Sequence, residues 1–102
     1  MGFSTKKDFE HALVIVRKEI NQWDPYALIA SGSLDDEFDG EIRSIVKEIP
    51  RIGSETDAAY AVSRTFGSSF DASDFPVEKC ESIGRNLYQA LIRERLIDTG
   101  YV

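Results

Sequence analysis

Residues Phe38 to Pro50, Phe-Asp-Gly-Glu-Ile-Arg-Ser-Ile-Val-Lys-Glu-Ile-Pro, decide between an all-helical chain and one that contains a sheet. Isoleucine and valine are β-branched and favour strands. Their spacing here does not. Phe38, Ile42, Ile45, Val46 and Ile49 form one apolar stripe at helical period. The run is also longer than an average strand of about 5–6 residues. The spacing predicts a helix that begins near Ser33 or Asp35 and runs to Ile49. Pro50 ends it, because a proline pushes the residue before it out of helical geometry.

Toward the N-terminus, Phe9, Leu13, Val16, Ile20 and Trp23 recur every three or four residues and predict a helix from Lys6 to Gln22. Thr5 and Asp8 form a variant capping box. Arg17 and Lys18 are expected near the last turn, where the helix dipole favours cations. Asp24 can cap a following helix with Pro25 at its first position, which predicts a short helix from Tyr26 to Ala30, closed by Gly32. In that arrangement Trp23 and Leu28 make a hydrophobic staple. Toward the C-terminus, Gly53 lies in a short connection from Arg51 to Glu55. A helix from Glu55 to Phe70 follows, with Ala59, Val62, Phe66 and Phe70 on one face. Asp71 to Pro76 reads as a loop. The last predicted helix, Pro76 to Ile97, buries Cys80, Ile83, Leu87, Ala90 and Leu91, and Gly84 in that stripe invites a second helix to approach closely. No segment alternates apolar and polar residues over a strand's length. The expected fold is a single compact all-α domain over residues 1–102, of about five helices in an orthogonal or bundle-like arrangement.

Composition narrows the function. The chain has 102 residues, 12 basic against 18 acidic, and a formal charge of −6. That balance argues against a nucleic-acid-binding surface. A single cysteine excludes an intrachain disulfide. No apolar run reaches a membrane span, and Met1 to Lys7 lacks the apolar stretch of a signal peptide, so the expectation is a cytoplasmic protein without a membrane partner.

Acid is the most unusual feature. From Glu19 to Ile42 there is no Lys or Arg, and five acids, Asp35, Asp36, Glu37, Asp39 and Glu41, lie within seven residues. A helix N-terminus stabilises a few carboxylates by about 0.3–1 kcal/mol each. That accounts for two or three of the acids but not for Asp39 and Glu41, so the segment is the leading candidate for binding a partner. Asp71, Asp74 and Glu78, between Arg64 and Lys79, are a reserve candidate. A calcium loop would place ligands at Asp35, Glu37 and Asp39, but its closing bidentate position falls on Val46. His11 and Cys80 have no metal-ligand spacing and no local nucleophile signature. Phosphate-binding glycine loops and serine elbows are absent. The expectation is therefore no catalytic residue, no cofactor and no metal.

Asn21-Gln22-Trp23-Asp24-Pro25 followed by Asp36-Glu37-Phe38-Asp39 resembles a family of small all-helical bacterial proteins of unknown function, with an N-x-W-D-P motif and a later D-E-[Tyr/Phe]-D motif. Phe38 stands where Tyr is commoner in that family. Similar small proteins act as immunity proteins beside toxins of contact-dependent growth inhibition. The resemblance implies an immunity protein that binds and neutralises a cognate toxin domain, with a basic nuclease as the expected partner. The alternative is an adaptor or regulatory protein-binding module of the same uncharacterised family. An inhibitor needs no catalytic residues, and an acidic surface can mask a basic one while accelerating encounter.

Overall fold

The computed structural model describes residues 6–25 and 38–97 of the chain. Among these residues lie four α-helices: α1 (Lys6–Trp23), α2 (Asp39–Glu48), α3 (Glu55–Ser69) and α4 (Glu81–Arg93). Short 3-10 turns at Ile49–Arg51, Ala72–Asp74 and Val77–Cys80 join them, and no strand occurs among the described residues. The fold is all-α. The expected helix at Tyr26–Ala30, its terminator Gly32 and the staple partner Leu28 lie outside the described residues, as does Thr5.

The stretch that decided the fold is helical, and its whole stripe, Phe38, Ile42, Ile45, Val46 and Ile49, is buried. Its start differs from expectation. Phe38 occupies the N-cap position with φ −105° and ψ 20°, outside the helix, and its carbonyl accepts the first bond from Ile42 N at 2.8 Å. Burial of the Phe38 ring fixes this boundary, so α2 begins at Asp39 and not at Ser33 or Asp35. Pro50 falls in the 3-10 turn that follows α2.

Asp24 also takes a different role. Its N–H bonds the Ile20 carbonyl at 2.8 Å, and its φ is +48°. An N-cap needs extended backbone. Asp24 is left-handed instead, the conformation in which many helices end, and Asp tolerates it better than most residues. It therefore terminates α1.

α3 starts where its local chemistry says it should. Ser54 is extended, and its hydroxyl accepts the Asp57 N–H at 3.1 Å. The Asp57 carboxylate in turn accepts the Gly53 N–H at 2.9 Å. The last predicted helix divides in two, because Pro76 is extended and the chain re-enters through the 3-10 turn Val77–Cys80 before α4. α4 ends in a Schellman motif. Leu96 N–H bonds the Leu91 carbonyl at 2.8 Å, Arg95 N–H bonds that of Ile92 at 2.9 Å, and Arg95 has φ +61°. Arg95 ends the helix short of Ile97, and Leu96 folds back into the core at 2% exposure.

α3 and α4 form the most extensive pairing, with α1 laid against α2 and α4, and α2 against α3. One apolar cluster draws residues from all four helices. The close approach expected at Gly84 is present: a Cβ there would lie 2.6 Å from Ala59 N and 2.7 Å from Ala59 Cα. Backbone meets backbone, so neither side can yield by a rotamer change. Phe66 is the second convergence point. Its ring centroid is 5.2 Å from that of Trp23, 5.4 Å from Phe75, 5.7 Å from Phe38 and 5.8 Å from Phe70. Phe70, expected on the buried face, keeps 39% exposure as the outer leaf of this stack.

Gly84→Ala should destabilise the protein by about 1–3 kcal/mol through overpacking. Gly40→Ala, where a Cβ would meet nothing within 4 Å, should instead be neutral or stabilising by up to about 1 kcal/mol. Urea unfolding of the two variants checks both signs.

Candidate functional site

The acidic end of α2 is built on one packing event. Phe38 is pinned beneath it by the aromatic cluster, and the first turn then presents Asp39 and Glu41. Both positions are favourable for carboxylates beside free backbone N–H groups. This corrects the expectation that a helix end leaves Asp39 and Glu41 unexplained. Asp35, Asp36 and Glu37 lie outside the described residues.

The second correction is the counter-charge. Although no base falls between Glu19 and Ile42 in sequence, Arg17 reaches across from α1. Its Nε and Nη2 donate to Asp39 Oδ1 at 3.3 and 3.1 Å. Both side chains are about one-third exposed, at 37% and 32%, so the pair is worth at most ~1 kcal/mol. Arg17 therefore serves the start of α2 rather than the end of α1, whose last turn holds no basic residue. Glu41, half-buried, makes no ion pair or hydrogen bond among the described residues.

The reserve acids sit on the connection between α3 and α4, all exposed. Asp71 caps the turn Ala72–Asp74, accepting the Ser73 N–H at 3.0 Å and the Ser73 hydroxyl at 2.8 Å. The hydroxyl and then the backbone bond hold its carboxyl below the usual aspartate range. Asp74 closes that turn, and Glu78 lies in the next one. Asp71 thus has a local structural task.

Tyr60 is a surface feature that the apolar stripes do not disclose. It is 47% exposed on α3 and lines two neighbouring depressions of about 210 and 360 Å³. The smaller lies between α3 and the start of α4. The larger contains Glu48, which is 3.1 Å from Arg64 and 3.9 Å from Arg51. The sequence signal for Tyr60 is an aromatic residue displaced by one position from the buried stripe of Ala59, Val62 and Phe66. Aromatic and arginine side chains together are typical of interface anchors.

His11 and Cys80 are engaged separately. His11 Nε2 lies 3.1 Å from Glu94 Oε1, tying α1 to the end of α4. Cys80 is fully buried with Sγ 4.0 Å from the Phe75 carbonyl, and desolvation pushes its thiol pKa up. A raised pKa disfavours the thiolate that nucleophilic or ligand chemistry needs.

A family model described as a domain of unknown function, DUF1871, matches residues 15–93. No curated protein and no solved structure matches the chain.

Two outcomes follow from this geometry. Trp23→Ala removes an edge-on aromatic from Phe66 and Phe75 and should cost about 3 kcal/mol, the lower end for large aromatics because Trp23 is only partly buried. Denaturant titration measures it. Cys80 should react with a thiol reagent only as fast as the protein opens, and immediately in denaturant. Fast labelling of the native protein would contradict its burial.

Proposed function

The chain belongs to the DUF1871 family, and from that premise we propose that it is a protein-binding domain that neutralises a basic partner through its acidic surface. In its specific form the reading is a cytoplasmic immunity protein that masks a cognate toxin domain, with a nuclease the expected activity of that toxin. The observation that carries it is the charge of −6 combined with the acidic segment Asp35 to Glu41. Glu41 supports it in the first turn of α2, half-buried, where no described residue neutralises it.

The physical logic is electrostatic. Nuclease surfaces that hold phosphates are basic, and a complementary acidic surface raises the encounter rate and fixes register. Asp39 contributes less to this than sequence alone implies, because Arg17 already holds it. Glu41, and Asp36 and Glu37 just before Phe38, carry the reading. No helix among the described residues is long and apolar enough to cross a membrane, which agrees with a partner met in solution.

The test starts with capture of partners from the source cell and identification by mass spectrometry. Association kinetics of wild type and the variant Asp36→Asn, Glu37→Gln, Glu41→Gln are then measured against the captured protein. Over about 0.01 to 0.15 M salt the screening length shortens from about 30 to about 8 Å. The wild-type rate should fall steeply over that range. The variant should associate more slowly with a flatter salt dependence, and should protect cells less well against a toxin partner. A variant that binds and protects like wild type at low salt would reduce the acidic segment to a solvated helix end. A partner that is not a toxin would instead favour an adaptor role.

A further inference from the structure

The depression between α3 and the start of α4 has the chemistry of a receptor for one long cationic side chain. We infer that it takes a single Lys or Arg side chain of the basic partner; this rests on the reading above and adds a contact point separate from the acidic segment. Its volume, about 210 Å³, is below the roughly 300 Å³ at which small-molecule sites begin, and suits one side chain.

The lining divides into an apolar floor and a charged rim. Ala59 and Val77 form apolar surface, with Tyr60 beside them. Ala59 is the residue that Gly84 lets α4 approach, so the floor lies at a backbone-to-backbone contact of α3 and α4. Glu55, Glu81 and Arg85 carry the charge. Glu55 is already occupied: it accepts Gln89 Nε2 at 3.1 Å and has Arg85 Nε at 3.8 Å. That loose contact balances Arg85 against Glu55 and leaves Glu81 as the excess charge of the rim. Glu81 makes no hydrogen bond or ion pair among the described residues.

What remains for a ligand is one carboxylate, one exposed aromatic ring and an apolar base. A Lys or Arg side chain matches all three, with an apolar stem, a charged head, and attraction to the face of an aromatic ring. An anionic side chain would meet two carboxylates against one guanidinium. A neutral apolar one would leave Glu81 without a counterpart. The adjoining depression of about 360 Å³ balances Glu48 and Asp57 against Arg51 and Arg64, and shows no such preference.

The experiment is a two-dimensional amide NMR titration of the full chain with N-acetyl-argininamide, with N-acetyl-norleucinamide as the uncharged control and an oligo-arginine peptide as the multivalent probe. Argininamide should produce saturable shifts at Ala59, Tyr60, Val77 and Glu81, and norleucinamide should not. Tyr60→Ala and Glu81→Gln are surface changes whose spectra report retention of the fold, and each should weaken binding about two- to fivefold. Equal shifts from norleucinamide, or unchanged binding in both variants, would overturn the pocket. Oligo-arginine shifts confined to Asp39 and Glu41 would overturn it too, while leaving the acidic-surface reading in place. No response to oligo-arginine anywhere would overturn both.

Discussion

The contact of Gly84 with Ala59 sets the geometry on which the rest depends. Two helix backbones meet with no room for a side-chain carbon between them, so any residue larger than glycine at position 84 would push α3 and α4 apart. Close-packed interiors transmit such constraints because they contain little free volume. With α4 fixed, the faces of α3 are assigned. One carries Phe66 toward Trp23 and Phe38, the other carries Tyr60 outward. The hydrogen bonds of Tyr88 to the Gly53 carbonyl at 3.2 Å and of Gln89 to Glu55 at 3.1 Å then tie the start of α3 to the same helix.

Much of this was legible in the sequence because helical periodicity reports burial directly. The stripes of α2 and α4 are buried residue for residue, and Gly84 announced its close approach by sitting within one. Boundaries were less legible, since they depend on tertiary contacts. α2 starts where Phe38 is trapped under the aromatic cluster, and α4 stops where Arg95 turns left-handed so that Leu96 can be buried. Asp24 has the composition of a cap and the conformation of a terminator. The acidic segment was legible as composition, while its partner Arg17 was invisible because α1 and α2 meet only in space. Tyr60 is not distinctive in sequence for the opposite reason: one position off a stripe is where solvent-facing residues are expected.

These differences reshape the candidate binding surface. Pairing with Arg17 turns Asp39 inward to the joint between α1 and α2, and Asp71 is drawn into its own turn by Ser73. Fewer carboxylates are therefore open to an outside charge than the sequence count implies. Trp23 and Phe38, the aromatic residues of the two short motifs, are packed on Phe66. The aromatic residues of both motifs therefore belong to the packed interior and not to a binding surface.

Trp23 is the chain's only tryptophan, and it lies edge-on to Phe66 and Phe75 where the end of α1 meets α3 and the approach to α4. The protein thus carries a single indole fluorophore, separable by excitation wavelength from its four tyrosines, at the junction of segments far apart in sequence. Its emission registers the docking of those segments, whereas far-ultraviolet dichroism registers the helices themselves. Coincidence of the two signals on unfolding would mark the domain as a single cooperative unit. Separation would reveal helices that outlive the junction between them.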